Sequence, residues 1–245
     1  MFALYKKELS TFFSSLTGYL AIGVFLLLTG LMMWIFHSSF NVLDYGYATL
    51  DSLFFVAPFL YLFLIPAITM RMLAEEKKNG TLELLLTKPL SEMNIVWAKF
   101  LAGITLVFLS LLPTLVYYII VFSLGDPRGN IDTGAVAGSY VGLLLLGAAF
   151  VSIGLFASSL TENQIVAFIV AALLCAFCYL GFESIYNMNF LGEVGLFIRS
   201  LGIQSHYESM SRGVIDSRDV LYFLSVVAIF LLFTKLMLQR RTWQK

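Results

Sequence analysis

The sequence predicts an all-α polytopic membrane protein with six transmembrane helices. Of its 245 residues, 60% are hydrophobic and only 12% are charged, and the mean hydropathy is +0.89. A soluble domain of this length could not keep so much apolar surface away from water. Several apolar stretches also reach or exceed the roughly 20 residues that a helix needs to cross a bilayer core.

Six apolar segments are long enough to span the membrane. They lie at roughly 17–37, 52–72, 94–124, 134–158, 164–183 and 219–238. We assign them as helices because an unpaired backbone is too costly in hydrocarbon, and because the strands of membrane barrels are much shorter. No small-residue cleavage site follows the first segment, which is too long for a signal peptide, so we expect it to be retained.

The distribution of basic residues predicts that both termini are cytoplasmic. With the N-terminus inside, the cytoplasmic side receives Lys6, Lys7, Arg71, Lys77, Lys78, Lys88, Lys99, Lys235, Arg240, Arg241 and Lys245. The outer side receives Arg128, Arg199, Arg212 and Arg218. This bias follows the positive-inside rule and requires an even number of spans. We therefore expect a multi-pass membrane protein with both termini in the cytoplasm.

We interpret residues 1–245 as a single transmembrane domain. Its parts are an interfacial helix (1–16), spans one and two (17–72), a cytoplasmic coupling loop (73–91), spans three to five (92–183), an extracytoplasmic segment with short helices (184–218), span six (219–238) and a cytoplasmic tail (239–245).

The N-terminal segment has a helical apolar pattern. Apolar residues recur at helical spacing at Phe2, Tyr5, Leu9 and Phe12 or Phe13, whereas Lys6, Lys7 and Ser10 fall between them. This pattern predicts an amphipathic helix, or elbow, lying along the inner leaflet. The alternative is that these residues are simply the start of the first span.

Residues suited to catalysis or metal binding are sparse. His37 and His206 each lack a companion at metal-ligand spacing. Cys175 and Cys178 have the spacing of a redox motif, but they lie in the middle of an apolar segment, so we expect them to serve in packing. These residues do not favour an intramembrane enzyme.

Ionisable residues and phosphate-binding motifs also limit the possible functions. The spans are nearly free of ionisable residues, since Glu183 and Lys235 lie near span ends, which argues against a proton relay. The sequence contains no Gly-x-x-x-x-Gly-Lys-[Ser/Thr] motif, so any ATP chemistry must reside on another polypeptide.

The stretch from Arg71 to Ser91 predicts a short helix held between two spans. Asn79-Gly80 ends span two, Thr81 caps a new helix with Glu83 near its positive end, and Pro89 stops it. Its apolar residues are Leu82, Leu84, Leu85 and Leu86. Ser91 then caps span three. Such a helix would act as a rigid lever between a cytoplasmic partner and both spans. The alternative is a polar loop whose leucines rest on the membrane.

Glycines and caps organise the remaining segments. Gly134, Gly138 and Gly142 lie on one face of span four, which allows close helix approach within the chain or between subunits. Gly213 fits a helix-ending position, and Asp216 with Asp219 fits a cap at the start of span six.

Three stretches resemble a known family. Arg71–Ser91 resembles the first cytoplasmic loop of ABC-2-type permeases, in which a Glu-rich turn, Gly-Thr-Leu-Glu, a leucine run and Pro-Leu-Ser follow span two. Gly154–Gln164 is similar to that family's turn between spans four and five, with Thr161 and Gln164 as a capping box. His206–Tyr222 resembles a narrower subset, the gliding-motility-associated permease and relatives of the permease from nitrous-oxide reductase clusters.

The resemblance implies a location in the bacterial inner membrane, as well as partners and roles. It implies two cytoplasmic ABC ATPase subunits, which hold the ATP and Mg, and a second permease copy or sister permease. The gliding-motility relatives also imply a partner with a large extracytoplasmic domain. The coupling helix and its hinge would be Glu75, Glu76, Gly80, Thr81, Leu82 and Glu83, and the elbow would include Lys6 and Lys7. This chain itself would hold no cofactor or metal, would not be an enzyme, and would contact lipid but no nucleic acid.

The leading functional hypothesis is the permease subunit of an ATP-driven exporter. The same assembly could instead transmit force to an extracytoplasmic partner, as in gliding machinery, and a passive channel or scaffold is a further alternative. Lipids, hydrophobic drugs, glycans and polypeptides all fit a bundle rich in Phe, Leu and Tyr.

Overall fold

The computed structural model describes residues 1–86, 91–187 and 192–242. Within these residues the regular structure is helical and includes no β-strand, which confirms the all-α class. The helices are α1 (Phe2–Ser14), α2 (Leu16–Trp34), α3 (Val42–Tyr45), α4 (Asp51–Lys78), α5 (Thr81–Leu86), α6 (Glu92–Leu111), α7 (Leu115–Leu124), α8 (Thr133–Leu160), α9 (Gln164–Ala176), α10 (Phe182–Asn187), α11 (Gly192–Ser200), α12 (Ile203–Ser211) and α13 (Ser217–Thr242). The stop predicted at Pro89 lies outside the described residues.

Five helical units in the described part of the chain are long and apolar enough to cross a membrane. They are α4, α6 with α7, α8, α9 with α10, and α13. Helices α1 and α2 are bent by 65° relative to each other and together form a sixth candidate span. The predicted six-span architecture therefore agrees with the structure when this bent pair is taken as one span.

Two of the spans contain a local change of helix type. A 3-10 turn at Leu112–Thr114 separates α6 from α7, and it contains Pro113, which has no N–H to donate to the preceding turn. A π-helical turn at Phe177–Gly181 separates α9 from α10.

Helix α8 is the centre of the bundle and packs against α4, α6, α9, α12 and α13. Small residues allow these close contacts. A Cβ atom added at Gly147 would lie 2.6 Å from a Val107 methyl group of α6. One added at Gly154 would collide with Thr69 of α4. Helix α8 can therefore pack this closely only because Gly147 and Gly154 have no side-chain carbon.

The bundle has two ends with different elements. The α5 end contains α1, α5, the last turns of α4 and α8, and the first turns of α6 and α9. The α12 end contains α3, α11, α12 and the first turns of α4, α8 and α13. Hydrogen bonds link the helices at each end. At the α5 end the Leu73 amide of α4 donates to Ser158 of α8, and at the α12 end the Tyr207 hydroxyl donates to the Phe54 carbonyl of α4.

The glycine face at the start of α8 packs within the chain. A Cβ atom added at Gly138 would lie 2.6 Å from the Gly213 carbonyl oxygen, and one at Gly142 would lie 2.8 Å from Met210 Cβ. Gly134, in contrast, is exposed and approaches only the side chain of Asp132. Gly138 and Gly142 therefore serve the contact between α8 and the α12 segment.

Several helix ends agree with the sequence prediction. The Ser91 side chain accepts a hydrogen bond from the Asn94 amide and caps α6. Gly80 and Gly213 follow the ends of α4 and α12 with φ of 68° and 83°, a left-handed conformation that glycine adopts without steric penalty. Asp216 accepts from the Arg218 amide at the start of α13.

Other predicted caps are wrong. The Thr81 hydroxyl donates to the Glu76 carbonyl instead of accepting from α5, because Thr81 is the first residue of α5 and not the residue before it. Asn163 caps α9 by accepting from the Ile165 amide, so Thr161 and Gln164 do not form a capping box. Asp219 hydrogen bonds to His206 of α12 rather than to its own helix.

Candidate functional site at the α5 end

Helix α1 packs on the bundle with a face that overlaps the predicted apolar face at Phe12 but is centred on Glu8. The buried residues are Leu4, Glu8 and Phe12, which recur every four positions. Phe2, predicted to lie on the apolar face, is 77% exposed. The sequence pattern did not predict this face because Glu8 lies at its centre. A charged residue is assigned to the solvent-exposed side of a helix unless a buried partner is known.

That partner is Lys99 of α6. The Lys99 ammonium lies 2.9 Å from Glu8 Oε1 and 2.9 Å from Glu76 Oε2. The side chains of Lys99, Glu8 and Glu76 are only 1%, 9% and 12% exposed. We refer to these three residues as the buried ion cluster. It joins α1, α4 and α6 at one point.

The buried ion cluster is balanced in charge by a lysine on its solvent side. Lys7 is exposed, and its ammonium lies 3.5 Å from Glu76 Oε1. Glu76 thus lies between Lys7 of the predicted elbow and Lys99 of α6. Burying charges costs free energy unless they are paired, and removing one partner of a buried pair typically costs about 3–5 kcal/mol. The cluster therefore holds the three helices in one specific arrangement.

Glu8 and Lys99 were not identified as site residues from the sequence. The expectation that the spans are nearly free of buried ionisable residues is wrong for Lys99, which lies within predicted span three and is fully buried. One signal was present: Lys99 is a lone cation in the apolar run from Ile95 to Val107. An isolated charge in such a run indicates a buried partner.

Helix α5 is held against the protein by its leucines. Leu82 belongs to the main core, and Leu85 packs in a small cluster with Leu4 of α1 and with Ile95 and Ala98 of α6. These contacts exclude the alternative that Leu82 and Leu85 merely rest on the membrane. The side chains of Leu84 and Leu86 lie outside the described residues. Helix α5 therefore contacts the same two helices that the buried ion cluster joins to α4.

The opposite face of α5 and its connection to α4 are accessible. Thr81 and Glu83 are exposed, as is Gly80, which links the two helices. Glu75, 41% exposed, lies 3.3 Å from Arg71 one turn earlier on α4. Lys6 is exposed on α1. The predicted site residues are thus divided between a buried group, Glu76 and Leu82, and an exposed group.

The last turns of α4 are also fixed to α8. The Ser158 hydroxyl accepts from the amides of Leu73 and Ala74, both at 3.0 Å, and donates to the Met70 carbonyl. The Lys77 ammonium donates to the Ser159 carbonyl. A displacement of α4 at this end would therefore be passed to the central helix as well as to α1 and α6.

The remaining reactive side chains do not converge on a second chemical centre. In the described residues, no three or more His, Cys, Asp or Glu side chains are arranged to hold a metal ion. His37 pairs with Asp44 and His206 with Asp219, in different parts of the α12 end. Cys175 and Cys178 are free thiols, and Cys175 is buried.

A helical bundle with five or six candidate spans and this short helix at one end defines a multi-pass membrane protein. Residues 3–243 match the family described as ABC-2 family transporter protein, and the chain belongs to that family. A comparison with curated proteins found no match. Family membership makes the chain a membrane subunit of an ABC transporter and implies an ABC ATPase subunit as its partner.

Proposed function

We propose that the chain is the permease subunit of an ATP-driven exporter of the bacterial inner membrane. In this proposal α5 receives the movement of a separate cytoplasmic ATPase. The observation that carries it is that α5 and the buried ion cluster contact the same helices, α1 and α6, at the same end of the bundle. Movement of α5 would therefore reach several helices at once.

The two faces of α5 suit this role. Leu82 and Leu85 anchor it to the bundle, whereas Thr81 and Glu83 are exposed and would face the ATPase. Gly80 would act as the hinge between α5 and α4, because a left-handed glycine allows a sharp change of direction without strain. Glu75 would lie at the rim of the contact, beside Arg71.

The buried ion cluster would carry the movement into the bundle. Its ion pairs are short and their side chains are almost fully buried, so the three helices cannot slide independently without separating buried charges. Lys7 and Lys6 would place the elbow at the inner leaflet, beside the cluster. Translocation would then follow from a coordinated shift of α1, α4 and α6 when the ATPase subunits close.

The proposed assembly contains two ATPase subunits and a second permease, either another copy or a sister chain. ATP and Mg would be bound by the ATPases, since this sequence has no phosphate-binding loop. Both termini and α5 would lie in the cytoplasm, where the basic residues concentrate.

A second use of the same assembly is transmission of force to a partner with a large extracytoplasmic domain. The resemblance of His206–Tyr222 to the gliding-motility-associated permeases supports it. Export and force transmission both require the same lever at α5. They differ in which partner is bound at the α12 end and in whether a substrate crosses the membrane.

The first experiment is gentle purification of the tagged chain, with mass spectrometry of the bound proteins and an ATPase assay. We expect one soluble ABC ATPase per permease, and a sister or extracytoplasmic subunit would be revealed in the same sample. A chain that purifies without any ATPase, in a detergent that preserves known ABC complexes, would contradict the proposal and favour a scaffold or channel.

Gly80→Trp tests the hinge in that complex. We expect ATP hydrolysis to persist while ATP-dependent transport in vesicles falls at least tenfold, because the bulky residue disturbs the contact with the ATPase. Gly46→Trp is a matched control, since Gly46 also has a positive φ and open space around it but lies at the α12 end. Equal transport by both variants would refute the hinge.

A further inference from the structure

A cavity lies at the opposite end of the protein from α5. It has a volume of about 480 Å³ and lies between the first turns of α4, helix α12 and the π-helical turn. Its lining residues include Asp51, Phe55 and Phe59 of α4, Gln204 and Glu208 of α12, and Tyr179. This volume is in the range of sites that bind small organic molecules.

The inner wall of the cavity is aromatic. Phe55 and Phe59 are partly exposed, with ring centroids 5.5 Å apart, and the Phe59 ring meets Tyr179 edge-on at 6.1 Å. Tyr179 in turn lies 6.4 Å from the Tyr207 ring. A continuous aromatic surface of this kind holds apolar groups, and ring faces also attract organic cations.

The polar groups at the mouth are mainly hydrogen-bond acceptors. The hydroxyls of Tyr207 and Ser211 already donate to backbone carbonyls, and the Gln204 amide donates to Glu208 at 3.0 Å. This leaves Gln204 Oε1 covered and without a hydrogen-bond partner in the structure. A buried acceptor without a partner is unfavourable, so it marks a position where a ligand donor would be stabilised.

The charges at the mouth are also predominantly negative. Asp51 is exposed in the first turn of α4 and lines the cavity. Glu208 lies 3.5 Å from Arg199 and is thereby balanced. Arg212 and Asp51 both also line an adjoining cavity of about 80 Å³, whose lining includes a further acidic residue, Asp132. Three acidic residues therefore line the two adjoining cavities, against one arginine. Asp51 is exposed and lines both cavities, so it is the acidic group that a bound cation would meet.

The polar and aromatic parts are separated along α4. Asp51 and Phe59 are eight residues apart in one helix, which corresponds to about 12 Å at the helical rise. A ligand that fills this cavity would therefore have a polar group at one end and an apolar body about two helical turns long.

We propose that this cavity binds amphiphilic organic cations. The ligand ammonium group lies at the mouth and donates to the Asp51 carboxylate and to Gln204 Oε1. Its apolar body lies against Phe55, Phe59 and Tyr179. This assignment names a ligand class for the α12 end and depends on the cavity alone, not on coupling to an ATPase.

The test uses the full chain, with any subunits that co-purify, in phosphatidylcholine nanodiscs. The probe is dansylcadaverine, an aromatic amphiphile with a primary amine, and the comparison probe is dansylamide, which has no amine. Fluorescence titrations are corrected with empty nanodiscs. We expect saturable binding of dansylcadaverine, at least tenfold tighter than that of dansylamide, since a hydrogen bond to a charged group is typically worth a tenfold or larger change in affinity.

Variants assign the binding to this cavity. Asp51→Asn and Gln204→Leu are each expected to weaken dansylcadaverine binding about tenfold and to leave dansylamide binding unchanged. Asp44→Asn is the control, because Asp44 is an acidic residue of the same end that pairs with His37 and does not line the cavity. Thermal unfolding confirms that each variant is folded.

Three outcomes would overturn the inference: no saturable binding of dansylcadaverine, equal affinity for both probes, or equal loss of binding in Asp44→Asn and Asp51→Asn. Because the assay contains no ATP, each of these outcomes is independent of whether an ATPase co-purifies with the chain.

Discussion

The two ends of the protein are held together by different interactions. At the α5 end, charged side chains from three helices meet in the buried ion cluster, where Lys99 pairs with both Glu8 and Glu76. Lys7 pairs with Glu76 on the solvent side of the cluster. At the α12 end, the contacts between α8 and the α12 segment are close backbone approaches at Gly138 and Gly142. Ion pairs act between specific partners, whereas glycine contacts depend on the absence of a side chain.

Hydrogen bonds, ring contacts and partly exposed ion pairs reinforce the α12 end, where Arg199 pairs with Glu183 and Glu208. Tyr207 donates to the Phe54 carbonyl at 2.6 Å, and burial raises the pKa of the Tyr207 hydroxyl well above its ordinary value. The hydroxyl therefore remains a donor at physiological pH. The His206 ring lies 2.7 Å from Asp219 and stacks on Tyr222 with centroids 3.9 Å apart.

The comparison suggests a division of roles. A lever must resist separation of its parts while it moves, and buried ion pairs supply this because their rupture exposes unpaired charges. A closely packed end supplies a rigid frame for the cavity at α4 and α12, since packed interiors deform little.

The largest expected effect is at Lys99. Lys99→Met leaves Glu8 and Glu76 buried without their shared cation, so we expect a loss of about 3–5 kcal/mol in unfolding free energy. Thermal unfolding in detergent measures it, with Lys6→Met as the exposed control. Adding Glu8→Leu and Glu76→Leu removes the unpaired charges and is expected to restore most of the stability but not ATP-driven transport. Wild-type transport by that triple variant would show that the cluster serves folding only.

A smaller effect is expected at the glycine contacts of the α12 end. In Gly138→Ala the new methyl group would overlap the Gly213 carbonyl, and such overpacking typically costs about 1–3 kcal/mol. Gly134→Ala is the matched control one turn earlier, where the space is open enough for a Cβ. The two unfolding temperatures should differ by several degrees. Equal values would mean that α8 does not need this close approach.

The smallest effect on stability is expected at Glu75. Glu75→Lys breaks an exposed pair with Arg71 one turn away, which is worth about 0.2–0.5 kcal/mol. We expect nearly unchanged unfolding but reduced transport per ATP hydrolysed, because the substitution alters the exposed surface beside α5. Glu76→Lys, in contrast, should unfold more easily, since it places a third cation in the network of Lys7 and Lys99. Equal stability of the two variants would contradict the difference in burial.

The local sequence determined the class of fold and most of the helix boundaries that matter here. Apolar runs of span length predict helices because lipid offers no hydrogen bonds to an open backbone. Ser91 and Gly80 predict a cap and a helix end from their own chemistry. These features depend on residues within one or two helical turns of each other, which is why the sequence alone was sufficient.

Only the tertiary structure decided which helices meet and through which residues. Glu8 reads as a polar interruption of α1 until α6 brings Lys99 against it, and Gly138 does not reveal whether its neighbour is Gly213 or another subunit. Likewise, the acceptors Asp51 and Gln204 share a cavity only because α12 folds back over α4. Such partners depend on helix rotation and on contacts across roughly 75 to 150 residues of chain, neither of which a local pattern contains.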